Sequence, residues 1–192
     1  MKIAIIGAGN VGTALKTGLT RIGHEVRTVG REENAARGAA DAAEVIIFAV
    51  PFAEVSNVAG EIGSAAAGKI VIDATNALTP SMELAVDSST TSGAEELQKK
   101  LPEAKVVKAF NTTFATAMAT GQINGEQLAG LVAADDADAK AQVLDLVQKL
   151  GFDPLDAGPL ASARLLEPLA LLNIKLGFVQ GYGPSSGFRL VH

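Results

Sequence analysis

Cysteine is absent from these 192 residues. That removes disulfides, thiolate catalysis, iron–sulfur clusters and cysteine-ligated zinc, and it suits a reducing, cytoplasmic setting. There are only two histidines, His24 and His192, and they do not lie at metal-ligand spacing, so no metal is expected. Tryptophan is missing and Tyr182 is the single tyrosine, which leaves few candidates for a phenolic proton donor. No apolar run approaches membrane-spanning length. Charged residues make up 19 %, the net charge is −5 and no basic stripe is visible, so nucleic acid is an unsuitable partner. What is abundant is aliphatic: hydrophobic residues reach 48 %, enough for one core, and the chain reads as a single domain over 1–192. Lys2 followed by apolar residues could pass for a secretory leader, but three glycines and Asn10 interrupt it.

The first thirty-one residues carry the strongest signal. A short apolar strand, Lys2 to Ile6, runs into Gly7-Ala8-Gly9-Asn10-Val11-Gly12 and an amphipathic helix, and a second strand ends at Val29-Gly30-Arg31. A glycine triplet in that context suits a dinucleotide. Gly7 would permit the tight turn, Gly9 would let a pyrophosphate approach the backbone, and Gly12 would let helix and strand pack closely. The plain alternative is a glycine-rich turn with no ligand. NAD sites usually place Asp or Glu at the end of the second strand; here Gly30-Arg31 stands there. A guanidinium pairs with a 2′-phosphate that a carboxylate would repel, so the expected cofactor is NADP(H).

Further along, Val45 to Val50 is a continuous apolar run ended by Pro51, suited to a parallel strand buried on both faces. Helices are expected over 10–22, 32–43, 53–66, from Ser92 (paired with Glu95 in a capping-box pattern) to Leu101, over 135–150, and as one long apolar helix over 160–180. Strands are expected over 25–29, 69–73, 105–109, 127–133 and 153–156, with an irregular excursion over 79–91. This alternation predicts an α/β, doubly wound, mostly parallel sheet of the Rossmann type. Right-handed crossovers then bring the strands' C-terminal ends to one edge. That edge gathers Gly7 to Gly12, Gly30-Arg31, Ala49-Val50-Pro51-Phe52, Asp73 to Asn76, and Phe110-Asn111-Thr112-Thr113.

Hydride transfer needs two rings held in contact more than it needs a catalytic triad. Pro51 is placed to flank a nicotinamide, though it would equally end a strand. Asn76, Asn111, Thr112 and Thr113 offer amides and hydroxyls to a ligand, or cap turns. His24 falls at the opposite edge and has no expected role. Arg164 and Glu167 are spaced as a local i,i+3 ion pair on the last helix. That helix is apolar on more than one face, which predicts a homodimer through residues 160–192.

The chain resembles the NADPH:deazaflavin (coenzyme F-420) oxidoreductases and their bacterial relatives, and is similar to the N-terminal oxidoreductase domain of six-transmembrane metalloreductases. The resemblance rests on Gly7 to Gly12, Gly30-Arg31, Ala49-Val50-Pro51, Asp73 to Asn76, Val107 to Thr112, Asp156 to Leu160 and Ala163 to Glu167. It implies that Gly30-Arg31 meets the 2′-phosphate, that Val50-Pro51 borders the nicotinamide, that Asn111 to Thr113 face a deazaflavin or flavin ring, and that the C-terminal part forms a dimer. The acceptor it implies is coenzyme F-420, FMN or FAD, or a ferric chelate reached through free flavin. Two departures stand out. The archaeal deazaflavin enzymes carry an extra helix and strand before the strand that ends at Pro51, so this sheet is expected to be shortened between strands two and three. They also have histidine where this chain has Asn111. Two other readings compete: a reductase of imines or carbonyls, and a non-enzymatic NADPH sensor.

Overall fold

The computed structural model describes residues 1–30 and 35–191. The chain runs β1 (Lys2–Ile6), α1 (Asn10–Arg21), β2 (Glu25–Val29), α2 (Ala35–Ala42), β3 (Val45–Phe48), α3 (Phe52–Ile62), β4 (Ile70–Asp73), α4 (Gly93–Lys100), β5 (Lys105–Lys108) and α5 (Ala115–Met118). A small hairpin, β6 (Gln122–Ile123) and β7 (Glu126–Gln127), precedes β8 (Ala129–Ala134), α6 (Ala137–Leu150), β9 (Asp153–Asp156) and α7 (Ala163–Ile174). The main sheet has the order β2-β1-β3-β4-β5-β8-β9. Its first five strands are parallel. Among the described residues only α2 lies between β2 and β3, so β2 is an edge strand and the shortening expected there is present.

The expectation that every strand would point to one edge needs correcting. β8 pairs antiparallel with β5, and β9 runs parallel to β8. A parallel return needs a crossover of a dozen or more residues, usually a helix. Residues 109–128, between β5 and β8, are long enough for a crossover but hold only the four-residue α5 and the hairpin, with no helix to span the sheet. The chain therefore starts β8 near the edge where β5 ended. The expected strand over 127–133 breaks at Leu128 for the same reason, with Gln127 belonging to the hairpin.

Alternating strand residues feed two cores. Ile3, Ile5, Ile47, Ile72 and Val107 pack with Leu15, Leu19 and Val143 on one face. Ala4, Ile6, Ile46, Phe48, Val71 and Val106 pack with Ala39, Val55 and Leu97 on the other. Burying each large aliphatic side chain contributes about 1.5–3 kcal/mol, which explains why β1, β3 and β4 read as unbroken apolar runs. No helix among the described residues is long and apolar enough to cross a membrane.

The C-terminal apolar run is helical but not one α-helix. Leu160–Ser162 is 3₁₀, α7 follows, and Lys175–Val179 is π-helical. Pro168 lies inside α7 and has no N–H to complete the ladder. Arg164 and Glu167 do not pair with each other. The Arg164 guanidinium donates to both carboxylate oxygens of Glu95 on α4, at 2.9 and 2.6 Å, while Glu167 turns into the core. Side chains three residues apart on a helix diverge when one faces a neighbouring helix and the other the sheet. Ser92 caps α4 by accepting from the Glu95 N–H at 3.2 Å, and its hydroxyl donates to Glu95 Oε2.

Arg164, helped by Ser92 and opposed by partial burial, holds the Glu95 carboxyl below the usual glutamate range. A lowered folded-state pKa stabilises above the unfolded value and is lost as pH falls through the folded one. The melting temperature of Glu95→Gln should accordingly lie below wild type at pH 7. The gap should close as the pH drops below about 4, where unfolded glutamate protonates. Thermal melts of both proteins across pH 3–7 check this, and a constant gap would contradict it.

Candidate functional site

Five parallel strands end at one edge, and the loops leaving them build the site. After β1 the chain turns at Gly7, whose N–H donates to Val29 O at 2.9 Å. Gly7 sits at φ +121°, and a Cβ there would lie 2.2 Å from Ala49 O. A Cβ on Gly12 would lie 1.8 Å from Gly7 O. Both glycines are thus demanded by the backbone itself. Gly9 is different: it caps α1 with no side-chain hydrogen bond, and nothing lies within 4 Å of where its Cβ would be. The open space in front of Gly9, at the positive end of α1, is shaped for an anion approaching the backbone.

That space belongs to a cavity of about 590 Å³ lined by Ile6, Gly7, Ala8, Gly9, Gly30, Ala49, Val50 and Pro51, with Ala36 from α2 and Glu54, Asn57, Val58 and Glu61 from α3. The expected residues Gly7, Ala8, Gly9, Gly30, Ala49, Val50 and Pro51 therefore come together. Asn10 is exposed at the start of α1, Val11 packs toward the core, and Gly12 lies behind the turn. Arg31 and His192 lie outside the described residues. Pro51 caps α3 with an extended backbone, and β3 ends earlier than the apolar run suggested, at Phe48, leaving Ala49 and Val50 as the loop onto the cavity.

The α3 stripe was not anticipated. Positions 54, 57, 58 and 61 share one helical face, and the polar members resemble an ordinary solvent face. Only the tertiary structure turns that face onto the cavity. Glu61 also accepts from the Ala36 N–H at 3.0 Å and the Arg37 N–H at 3.3 Å, tying α3 to the first turn of α2.

Beside the cavity, the ends of β4 and β5 are joined by polar side chains. The Asn76 amide donates to Asn111 O at 3.0 Å, and the Asn111 amide donates to Asn76 Oδ1 at 3.0 Å and Leu166 O at 3.0 Å. Those donations set the orientation of the Asn111 amide. They leave its Oδ1 buried with no partner. An orphaned buried acceptor costs about 1–3 kcal/mol and calls for an explanation. Phe110 adopts φ +68°, a strained conformation for a non-glycine residue, at the end of β5. Its ring turns inward onto Phe152, edge to face at 6.1 Å, so its backbone rather than its ring borders the edge. Thr112 and Thr113 are buried, and Asn173 on α7 donates to Thr112 O at 3.1 Å.

Beneath the asparagine pair lies a charged cluster that sequence reasoning missed. The Lys108 ammonium donates to Asp73 Oδ2 at 2.9 Å, Glu167 Oε1 at 2.8 Å and Thr75 O at 2.7 Å. All three charged side chains are at most 1 % exposed. Burial alone would lower the lysine pKa. The two carboxylates and their hydrogen bonds outweigh that and hold it above the ordinary value. The signal was present as a lysine at the end of an apolar strand, two residues after Val106 and so on the same sheet face. His24 lies at the far edge beside the N-terminal amine, 3.3 Å away.

Comparison with known proteins agrees with this architecture. A family model described as NADP oxidoreductase, coenzyme F420-dependent, matches residues 2–42 and 30–77. The F420-dependent NADP reductase of Methanothermobacter marburgensis is 30 % identical over 225 residues, covering 100 % of this chain and 99 % of that protein. The metalloreductase STEAP3 of Rattus norvegicus is 34 % identical over 186 residues, covering 89 % of this chain. This chain spans only 37 % of that longer protein, and smaller shares of the STEAP2 relatives. Among solved structures, a candidate F420-dependent NADP reductase from Arthrobacter sp. FB24 superposes with a TM-score of 0.90 at 29 % identity, each chain covered completely.

Proposed function

This chain belongs to the coenzyme F420-dependent family of NADP oxidoreductases, and from that premise we propose that it is an NADP-dependent oxidoreductase that moves a hydride between NADP(H) and a flavin- or deazaflavin-type ring at the strand-end edge. The observation that carries the reading is the contrast among the three glycines. Gly7 and Gly12 serve the backbone, whereas Gly9 opens onto the cavity, leaving room there for a pyrophosphate.

When bound, NADPH would supply the hydride from its nicotinamide. The work of the chain is to bind, orient and exclude water. Gly7 to Gly9 and the first turn of α1 would hold the pyrophosphate. The apolar wall of Val50, Val58 and Ala36 suits the adenosine half. Pro51 would border the nicotinamide, with the Asn76–Asn111 pair shaping the neighbouring strand ends. Holding the two rings near 3–3.5 Å removes most of the entropic cost of a bimolecular step. Ferric reduction through a reduced flavin would be downstream of this step.

We assign the 2′-phosphate to Arg31. Arg31→Ala should weaken NADPH binding by about 1–3 kcal/mol and leave NADH little changed, measured by titration calorimetry. Equal losses for both nucleotides would remove Arg31 from that role.

The single domain over 1–192 is read as pairing with a second copy through residues 160–192. Leu165, Leu172, Phe178 and Val179 are 49–73 % exposed along α7 and the π-helical turn, and light scattering on the purified chain tests the dimer.

The functional test is NADPH oxidation at 340 nm with deazaflavin, FMN and ferric chelate plus flavin as parallel acceptors. Gly9→Val serves as the control. Its melting temperature should fall only slightly, by the loss of a glycine N-cap, because its Cβ meets nothing within 4 Å. Its NADPH affinity should fall at least tenfold, about 1.4 kcal/mol. Unchanged affinity in Gly9→Val would move the pyrophosphate elsewhere.

A further inference from the structure

Two storeys of buried polar contacts lie under the strand ends, and one dipeptide of α7 grips both. In the lower storey Glu167 accepts from Lys108 at 2.8 Å and from the Gly93 N–H at 3.0 Å at the start of α4. In the upper storey the carbonyl of the preceding residue, Leu166, accepts from the Asn111 amide at 3.0 Å. The storeys are also joined through the loop after β4. Asp73 Oδ1 accepts from the Thr75 N–H at 2.9 Å and the Thr75 hydroxyl at 2.7 Å, and the Thr75 carbonyl accepts from Lys108. The next residue is Asn76, which exchanges hydrogen bonds with Asn111. Lys108 is thus the one cation holding the end of β4, its own strand β5 and α7 in a single arrangement, with all its ammonium protons committed.

We propose that Lys108 is a positioning residue for the nicotinamide half of the cofactor, acting through the 73–76 loop and through Glu167 to set the Asn76–Asn111 pair at the edge. The proposal deepens the reading given above and rests on it. Geometry separates its effect from general stabilisation. The glycine turn and the cavity beside α2 and α3 share none of the cluster's hydrogen bonds, so loosening the cluster leaves the adenosine end of the site intact.

The experiment compares two ligands on the full chain: NADPH, which engages both ends, and 2′,5′-ADP, which has no nicotinamide. Glu167→Gln is close in shape and removes one charge of the cluster. Thr75→Val removes one hydrogen bond of the loop and no charge, and it carries the test alone should Glu167→Gln fail to fold. Both variants are expected to bind 2′,5′-ADP within twofold of wild type. They should bind NADPH at least fivefold more weakly, with reduced fluorescence anisotropy of the bound dihydronicotinamide. Equal changes for both ligands, or a lower melting temperature with both affinities preserved, would make the cluster merely structural and overturn the proposal. If wild type binds neither ligand, the cofactor reading fails first and takes this inference with it. Wild-type binding with indifferent variants sinks this inference alone.

Discussion

Gly12→Ala is expected to destabilise the protein by about 2 kcal/mol, although alanine is the better helix former. Inside a helix the exchange would gain about 1 kcal/mol from propensity. Against that, the new methyl carbon would sit 1.8 Å from the carbonyl oxygen of Gly7 and 3.3 Å from the Ile5 side chain. Backbone cannot move aside as a flexible side chain does. Either α1 lifts off β1, opening the contact of Leu15 and Leu19 with the core, or the Gly7 turn distorts. Overpacking of this kind costs up to about 3 kcal/mol, occasionally more, and outweighs the propensity gain. For a chain of this length the melting temperature should fall by about 4–8 °C. The same substitution at Gly9 meets nothing within 4 Å and should cost only a poorer N-cap, about 1 kcal/mol or less. A Gly12→Ala protein as stable as Gly9→Ala would show that the close approach of helix and strand is not a constraint.

Glu167→Ala should be the most damaging single change, costing about 3–5 kcal/mol in denaturant titration. That is the usual cost of breaking a buried ion pair from one side. It is a large part of the roughly 5–15 kcal/mol that holds a domain together. The lost carboxylate serves Lys108 and the N–H groups of Gly93 and Ala94, all buried. Removing it leaves the two N–H groups without an acceptor and gives Lys108 one carboxylate fewer to offset its desolvation. The contrast is Glu95, on the neighbouring helix and also paired to a cation, but at a surface where water replaces what is lost. A cost below about 1 kcal/mol for Glu167→Ala would mean that water enters the cluster.

The legible part of this chain was the part written in local chemistry. An apolar strand, a glycine turn, a capped helix and a second strand each leave a signature within about ten residues. That is why the glycine turn and the alternation of the first five strands with helices could be read from one sequence, while the shortening between strands two and three was read from the family resemblance. The separate roles expected of Gly7, Gly9 and Gly12 could be read from their spacing, but the atoms that enforce them, Ala49 O against Gly7 and Gly7 O against Gly12, meet only after folding. The α3 stripe of Glu54, Asn57, Val58 and Glu61 had the composition of a solvated face, and burial against a cavity has no local code. Glu167 looked like a partner for Arg164 three residues away. Its actual partner, Lys108, is 59 residues distant, and the Asp73 that completes the cluster is 35 from that lysine. The sequence by itself therefore determined the elements, their alternation and the cofactor-shaped turn, since periodicity and backbone sterics act over short spans. The tertiary structure alone decided the reversal of β8 and the pairing of buried charges, because those follow from which chain ends meet in space and which charges lose water together.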